Sequence, residues 1–205
     1  MRTMDKLTHQ QLIERQKNQS FPKLPLTVVL NNIRSLYNVG SIFRTSDGIG
    51  VEKLWLCGIT GTPQKGTSNN SCLSPFGGEE RSRIEKTALG AEKIVPWEHS
   101  WDILSVVRNL KQSGYQIVLL EQTKQSISYQ EFEPKFPVCL VVGNEIDGIS
   151  DELLSLSDAA IEIEMAGTKN SLNVTVAFGV VAYHIRNCLN QTATRKLPSP
   201  FMGEG

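Results

Sequence analysis

Three polar clusters, each placed where an apolar stretch ends, carry the side chains of this 205-residue chain that could do chemistry. The first cluster runs from Asn31 to Arg44 and places Asn38 six residues ahead of Arg44. Arginine presents a permanently charged planar fork that suits phosphate. Polar side chains at the carboxyl end of a strand are typical of a ligand crevice in an open α/β sheet. The alternative is a turn followed by an arginine on a solvated helix surface.

The second cluster, Val141–Ile149, leads an apolar strand directly into Gly143 and then Glu145. Glycine lets a ligand approach the backbone closely, and the carboxylate just beyond it could contact that ligand. An Asx-type turn without a ligand explains the same residues. This cluster therefore predicts either a binding loop or an ordinary turn.

The third cluster, Ile161–Val174, leads from a strand through a glycine-containing loop into the start of a long helix. Free amide groups at a helix N-terminus favour negative charge. We expect Ser171 to cap this helix, as we expect Asn38 to cap the helix of the first cluster. Asn173 would then stand inside the helix, where asparagine is a poor former, so it is a candidate for chemistry.

Several familiar catalytic patterns do not occur in the sequence. There is no GxxxxGK[ST] loop and no GxSxG elbow, and the GxG at Gly48–Gly50 ends a predicted helix. The four cysteines and three histidines are dispersed, so neither a disulfide framework nor a metal site is predicted. No apolar run approaches the roughly 20 residues of a membrane span. We expect a cytoplasmic protein without a signal peptide.

The elements that must position the three clusters follow from apolar patterning. Strands are predicted at 26–30, 53–58, 115–121, 137–143 and 159–165, and helices at 5–19, 40–49, 79–93, 99–112 and 171–190. This alternation predicts a single α/β domain with a mostly parallel sheet flanked by helices. Residues 58–78, rich in small and polar residues, are predicted to form a functional or mobile loop.

Charge is balanced over the chain, with 21 basic and 21 acidic residues, but it is distributed unevenly. Residues 1–50 hold seven basic against three acidic residues, and residues 121–164 hold two against ten. A polyanion would therefore meet the N-terminal third of the chain. A solvated surface with chance asymmetry is the alternative.

Taken in order, the clusters resemble the three motifs of the SpoU-type (TrmH-like) RNA ribose 2′-O-methyltransferases, members of the SPOUT superfamily. The motifs are N-x-G-x-x-x-R from Asn38, L-V-V-G-N-E-x-x-G-I from Leu140 and I-x-M-x-G-x-x-x-S-L-N-V-x-V-A from Ile163. The resemblance covers about residues 25 to 190. Two positions depart from the family pattern, because Ser46 replaces the usual alanine and Phe178 a small residue.

The resemblance implies a parallel sheet with a deep C-terminal trefoil knot, the SPOUT or α/β-knot fold. The resemblance implies a methyltransferase catalytic domain at 25–190. From composition and patterning we expect a helical extension and linker (1–24) before it and a disordered tail (191–205) after it. The resemblance further implies a homodimer whose sites are completed across the interface. The helix at 171–190 would lie there, since the small residues Ala177, Gly179 and Ala182 permit close approach.

The resemblance also implies S-adenosylmethionine as the cofactor and no metal. Backbone groups of Gly143, Ile163 and Leu172 would hold the cofactor, with Met165 lining the pocket of its adenine.

The implied reaction is methylation of a ribose 2′-hydroxyl in tRNA or rRNA, with Arg44 as the catalytic arginine. Arg44 would act as the base or, because a guanidinium stays protonated to about pH 12, would fix a phosphate and stabilise the developing alkoxide. Asn38, Ser171 and Asn173 would orient the ribose and the arginine. Glu145 would anchor its loop or pair with the cationic partner.

Two further residues and two alternative functions complete the expectations. Arg34 and Lys65 are candidate contacts to RNA phosphates. A non-catalytic RNA-binding protein on the same knotted scaffold is one alternative to the enzyme. A methyltransferase that acts on a small molecule is the other.

Overall fold

The computed structural model describes residues 5–19, 21, 23–63, 79–143 and 149–195. Its strands are β1 (Leu24–Asn31), β2 (Val51–Cys57), β3 (Trp97–Ser100), β4 (Gln116–Leu120), β5 (Ile127–Ser128), β6 (Val138–Val142) and β7 (Ala159–Glu162). Its α-helices are α1 (His9–Asn18), α2 (Leu36–Ile49), α3 (Glu79–Ala88), α4 (Ile103–Gln112), α5 (Asp151–Leu156) and α6 (Val174–Arg195). A short 3-10 helix, Ala91–Lys93, precedes β3.

The strands form one sheet in the order β3-β2-β1-β6-β4-β7-β5, and every pairing in it is parallel. All strands therefore end at the same side, which we call the carboxyl edge. The chain runs outward from β1 to β3 and later returns to place β6 beside β1. A ligand crevice in such a sheet lies outside the carboxyl ends where the strand order reverses, so the β1–β6 boundary is the expected location.

The two central strands are buried on both faces. Leu26, Val28 and Leu30 of β1 point to the same core as α2 and α6, while Val29 between them points to the core under α4 and α5. This alternation is the period of two that a strand imposes. Their partners in β6 match, since Val28 pairs with Leu140 and Leu30 with Val142. Burial on both faces produces the uninterrupted apolar runs of these strands.

The α/β class with a parallel sheet flanked by helices, predicted from the sequence, is confirmed. The five predicted strands are present with shifted ends. Two short strands, β3 and β5, and the six-residue helix α5 were not predicted. The helix predicted at 99–112 begins only at Ile103, because the residues before it pair with β2 as a strand.

Helix α6 continues to Arg195 and so enters the predicted disordered tail at 191–205. Within the residues that the structure describes, no helix is long and apolar enough to cross a membrane. The same residues include no group of three or more His, Cys, Asp or Glu side chains that could hold a metal ion.

Candidate active site at the carboxyl edge

Helix α2 begins directly after the turn that follows β1. The Ser35 side chain caps it by accepting a hydrogen bond from the Asn38 backbone N–H at 3.4 Å. The prediction that Asn38 caps this helix is therefore wrong: the helix starts four residues before the predicted position 40, and Asn38 lies in its first turn. Its side chain is half-buried and available for contacts beyond the helix.

Gly40 of the first motif has a packing role. A Cβ atom at this position would collide with the Thr87 hydroxyl and the Ile84 carbonyl oxygen of α3. Thr87 also donates a hydrogen bond to the Tyr37 carbonyl oxygen at 3.0 Å. The motif glycine therefore lets α2 and α3 approach closely.

Helix α6 begins at Val174, and Asn173 precedes it. The Asn173 side-chain oxygen accepts hydrogen bonds from the Thr175 N–H at 2.9 Å and from the Thr175 hydroxyl at 2.6 Å. The Asn173 carbonyl oxygen accepts from Val176 N and Ala177 N, both at 3.0 Å. Asn173 is thus the residue that caps α6, and the predicted capping by Ser171 is wrong.

Asn38 and Asn173 meet although 135 residues separate them in the chain. Asn173 Nδ2 donates to Asn38 Oδ1 at 3.4 Å, a long and weak hydrogen bond. The capping bonds occupy the Asn173 oxygen and so aim its amide nitrogen toward α2. Two of the predicted site residues therefore share one place, which we call the Asn38–Asn173 corner.

Arg44 extends from the same helix as Asn38, about 9 Å along its axis and about 120° around it. Its side chain is exposed, and it forms no ion pair with any residue that the structure describes. Ser171 is also exposed, two residues before Asn173. The structure thus brings Asn38 and Asn173 into contact and leaves the side chains of Arg44 and Ser171 open to solvent.

A hydrogen-bonded turn supports this corner from the side of β2. The buried Thr60 hydroxyl accepts a hydrogen bond from Ile33 N at 3.0 Å and donates one to the Cys57 carbonyl oxygen at 2.7 Å. The Asn32 side-chain oxygen accepts from Ile59 N at 3.1 Å. Asn32, in the left-handed region at φ 57°, is thus a structural asparagine. Sequence reasoning missed Thr60, because a lone threonine after a strand gives no signal of its partners.

The predicted cofactor residues lie on the loops of the adjacent strand ends. Gly143 directly follows the fully buried β6, and Ile163 directly follows β7 while packing against the main core. Met165 and Leu172 are half-buried in the loop that leads to α6. Gln122, just beyond β4, holds this loop by donating to the Asn170 carbonyl oxygen at 2.8 Å.

Three predicted site residues remain, together with the two positions that depart from the family pattern. Glu145 and Lys65 lie outside the described residues, whereas Arg34 is exposed in the turn between β1 and α2. The unusual Phe178 is fully buried in the main core. Ser46, the other departure from the family, is fully buried, and its hydroxyl has no hydrogen-bond partner among the described residues.

Thiol chemistry is disfavoured at this edge. Cys57 ends β2, but burial together with the nearby Asp102 carboxylate raises its pKa to about 12. Burial raises the pKa of Cys139 in β6 to about 12 as well. Both remain neutral thiols near pH 7 and pack as apolar side chains.

Comparison with known proteins shows the family of this chain. The model of the SpoU rRNA Methylase family matches residues 25–183. The tRNA (guanosine(18)-2′-O)-methyltransferase of Aquifex aeolicus is 29% identical over 85% of this chain and 74% of its own length. The Escherichia coli K12 protein of the same name is 28% identical, and the chain spans only 61% of it.

Solved structures show the same fold. The crystal structure of the A. aeolicus TrmH/SpoU tRNA modifying enzyme gives a TM-score of 0.67 at 27% identity, covering 88% of this chain and 83% of that one. An AdoMet-bound rRNA methyltransferase from Sinorhizobium meliloti gives 0.67 at 24% identity, covering 83% and 62%.

Proposed function

The chain belongs to the SpoU rRNA methylase family, and we propose that it methylates a ribose 2′-hydroxyl of RNA with S-adenosylmethionine as the donor. The observation that carries this proposal is the Asn38–Asn173 corner, where two motif residues from distant parts of the chain meet at 3.4 Å. The A. aeolicus and E. coli relatives carry the name of tRNA methyltransferases, so tRNA is the substrate to test first. Because these relatives are named as tRNA-modifying enzymes, we also propose that the protein acts in the cytoplasm.

The residues at the carboxyl edge fit the cofactor. Ile163, Met165 and Leu172 offer half-buried apolar side chains to a purine ring, and Gly143 leaves its backbone accessible just past the sheet. S-adenosylmethionine, when bound, supplies an electrophilic methyl group on a sulfonium. Its binding by backbone groups and apolar side chains requires no metal.

The Asn38–Asn173 corner would orient the ribose. Thr175 occupies the Asn173 side-chain oxygen, but the Asn173 nitrogen keeps one N–H and the Asn38 amide keeps both of its own. Both side chains reach the surface. Neutral amides can hold the sugar hydroxyls without stabilising a competing charged ligand. Ser171 would add a hydroxyl from the same loop, and Glu145 would anchor the neighbouring loop.

Arg44 would bind the phosphate next to the target ribose and stabilise the negative charge that develops on the 2′-oxygen. Its exposure supports this role, since the guanidinium is available to a polyanion. A guanidinium does not give up its proton near neutral pH, so we assign Arg44 the electrostatic role. The proton of the 2′-hydroxyl would then pass to an RNA phosphate or to water.

The proposal includes a homodimer and the family's trefoil knot. Exposed apolar side chains on α6, Val176 and Tyr183, support a partner surface there, and a Cβ at Gly179 would meet only open space. Ala182 faces this chain's own core, contrary to the expectation that it admits a partner. The return of the chain to place β6 between β1 and β4 supports the knot.

The test is transfer of tritium from labelled S-adenosylmethionine into unmodified tRNA transcripts and into ribosomal RNA, with digestion to nucleosides. We expect label in a 2′-O-methylated nucleoside. Arg44→Ala should lower transfer by about 1000-fold without changing cofactor binding or the free energy of unfolding. Arg44→Lys keeps the positive charge but loses the planar guanidinium that binds phosphate through two hydrogen bonds, so it should restore only part of the activity.

Arg108→Ala is the matched control, because Arg108 is an exposed arginine of α4, on the other face of the sheet. It should leave transfer unchanged. Tight RNA binding without transfer to any RNA would instead favour the non-catalytic scaffold. A labelled product that nuclease treatment leaves unchanged would favour a methyltransferase that acts on a small molecule.

A further inference from the structure

Trp101 is a large aromatic side chain at the carboxyl edge that the proposed chemistry does not use. It directly follows β3, and 53% of its surface is exposed. We infer that Trp101 is a stacking platform for an unpaired base of the RNA substrate, close to the nucleotide that is methylated. The inference rests on the proposed function, because it names a contact to the substrate of that reaction.

The orientation of the indole ring is fixed by His99. The two rings meet edge to face, with centroids 4.9 Å apart and an interplanar angle of 81°. His99 Nε2 in turn lies 3.0 Å from the Gly58 carbonyl oxygen, at hydrogen-bonding distance. An exposed ring that its neighbour already holds loses little conformational entropy when a base stacks on it.

A chain of hydrogen bonds links Trp101 to the element that carries Asn38. Gly58 N donates to the Ser100 carbonyl oxygen at 3.0 Å, which ties the end of β3 to the turn after β2. Thr60 in that turn accepts from Ile33 N at 3.0 Å, in the turn that leads to α2. The indole therefore has a defined position relative to the Asn38–Asn173 corner.

The spacing suits neighbouring nucleotides. Strands lie 4.7–4.9 Å apart, so the ends of β3 and β1 are separated by about 10 Å, which single-stranded RNA spans within a few nucleotides. Arg34 is exposed in the turn after β1. Unpaired bases in RNA loops stack on aromatic side chains, and such stacking tolerates different bases because each has a π face.

The experiment compares Trp101→Ala with wild type in the transfer assay on the RNA fraction that accepts label. We expect the KM for RNA to rise about tenfold, with kcat and the cofactor Kd unchanged. Trp101→Phe keeps an aromatic face and should recover most of the affinity. Ile94→Ala is the matched control, since Ile94 is 68% exposed and precedes the amino end of β3.

Salt dependence separates stacking from charge. Loss of a stacked base lowers the RNA affinity by the same factor at every salt concentration. Loss of a phosphate contact instead reduces the slope of log K against log salt concentration by about 0.7 for a single strand. Trp101→Ala should therefore keep the wild-type slope, and Arg34→Gln should reduce it.

A KM for RNA in Trp101→Ala equal to that of wild type would overturn the inference and leave the proposed function intact. So would a change in the sedimentation of Trp101→Ala, because it would reveal a subunit contact at Trp101. Failure of the wild-type protein to methylate any RNA would instead refute the proposed function. Equal losses in Trp101→Ala and Trp101→Phe would also reject stacking, because phenylalanine still presents a π face.

Discussion

Two regions at the carboxyl edge contain asparagine, and its side chain has a different role in each. In the turn after β1, the Asn32 side-chain oxygen accepts from the Ile59 backbone, and the buried Thr60 hydroxyl beside it accepts from Ile33. At the Asn38–Asn173 corner, one long hydrogen bond of 3.4 Å joins two side chains that reach solvent. The first region uses its polar side chains to hold the backbone. The second, apart from the Asn173 oxygen that caps α6, leaves amide groups available for a ligand.

This difference teaches how to separate fold from chemistry within one motif. Asn38 and Gly40 stand two residues apart in the first family motif, yet Gly40 lets α3 pack against α2 and Asn38 faces the opposing helix cap. Substitutions in the supporting turn and helix pair should change the free energy of unfolding. Substitutions at the corner should change the reaction.

The largest effect on stability is expected for Gly40→Ala. The added methyl group would collide with the Thr87 hydroxyl and with the Ile84 backbone, which cannot move aside without shifting α3. We expect the free energy of unfolding to fall by about 3 kcal/mol, measured by urea denaturation.

Gly48→Ala is the matched control, since its Cβ would lie 3.5 Å from the Tyr183 hydroxyl, an ordinary contact. It should be neutral or stabilising by up to about 1 kcal/mol through helix propensity. Similar losses in both variants would refute the packing role of Gly40.

A smaller effect is expected for Thr60→Val, which keeps the shape of the side chain and removes its hydroxyl. The buried Ile33 N–H would lose its acceptor, which should lower the free energy of unfolding by about 2 kcal/mol. Ser41→Ala provides the comparison, because its exposed hydroxyl only donates to the Tyr37 carbonyl oxygen at 2.9 Å. Equal stability of Thr60→Val and wild type would show that the turn is not a support.

The smallest effect is expected for Ser46→Ala, and it has the opposite sign. The Ser46 hydroxyl is buried without a hydrogen-bond partner among the described residues. Its removal should raise the free energy of unfolding by about 1 kcal/mol and leave methyl transfer unchanged. A loss of stability in thermal or urea unfolding would mean that the hydroxyl does have a partner.

The parts of the fold that burial determines were predictable from the sequence. β1 and β6 are apolar throughout because both of their faces are covered, and a run without charges reports this directly. β3 gave no such signal, since Trp97–Ser100 includes a glutamate, a histidine and a serine. It is a strand because β2 offers it a hydrogen-bonding edge, which is a long-range cause.

The site was predictable as a set of residues and not as a geometry. We predicted that Asn38 and Asn173 share one site because the order of the motifs resembles that of a known family. No local pattern in the sequence relates two residues that are 135 positions apart. The start of α6 was misplaced because Ser171 and Asn173 are both capable caps. Only the hydrogen bonds to Thr175 distinguish them.

The most direct measurement of the central claim is the kcat of methyl transfer to RNA by Asn38→Ala, taken with its free energy of unfolding. If the Asn38–Asn173 corner orients the ribose, kcat should fall by about 100-fold while stability changes by less than about 0.5 kcal/mol. A kcat equal to that of wild type would contradict the assignment of this corner to the reaction.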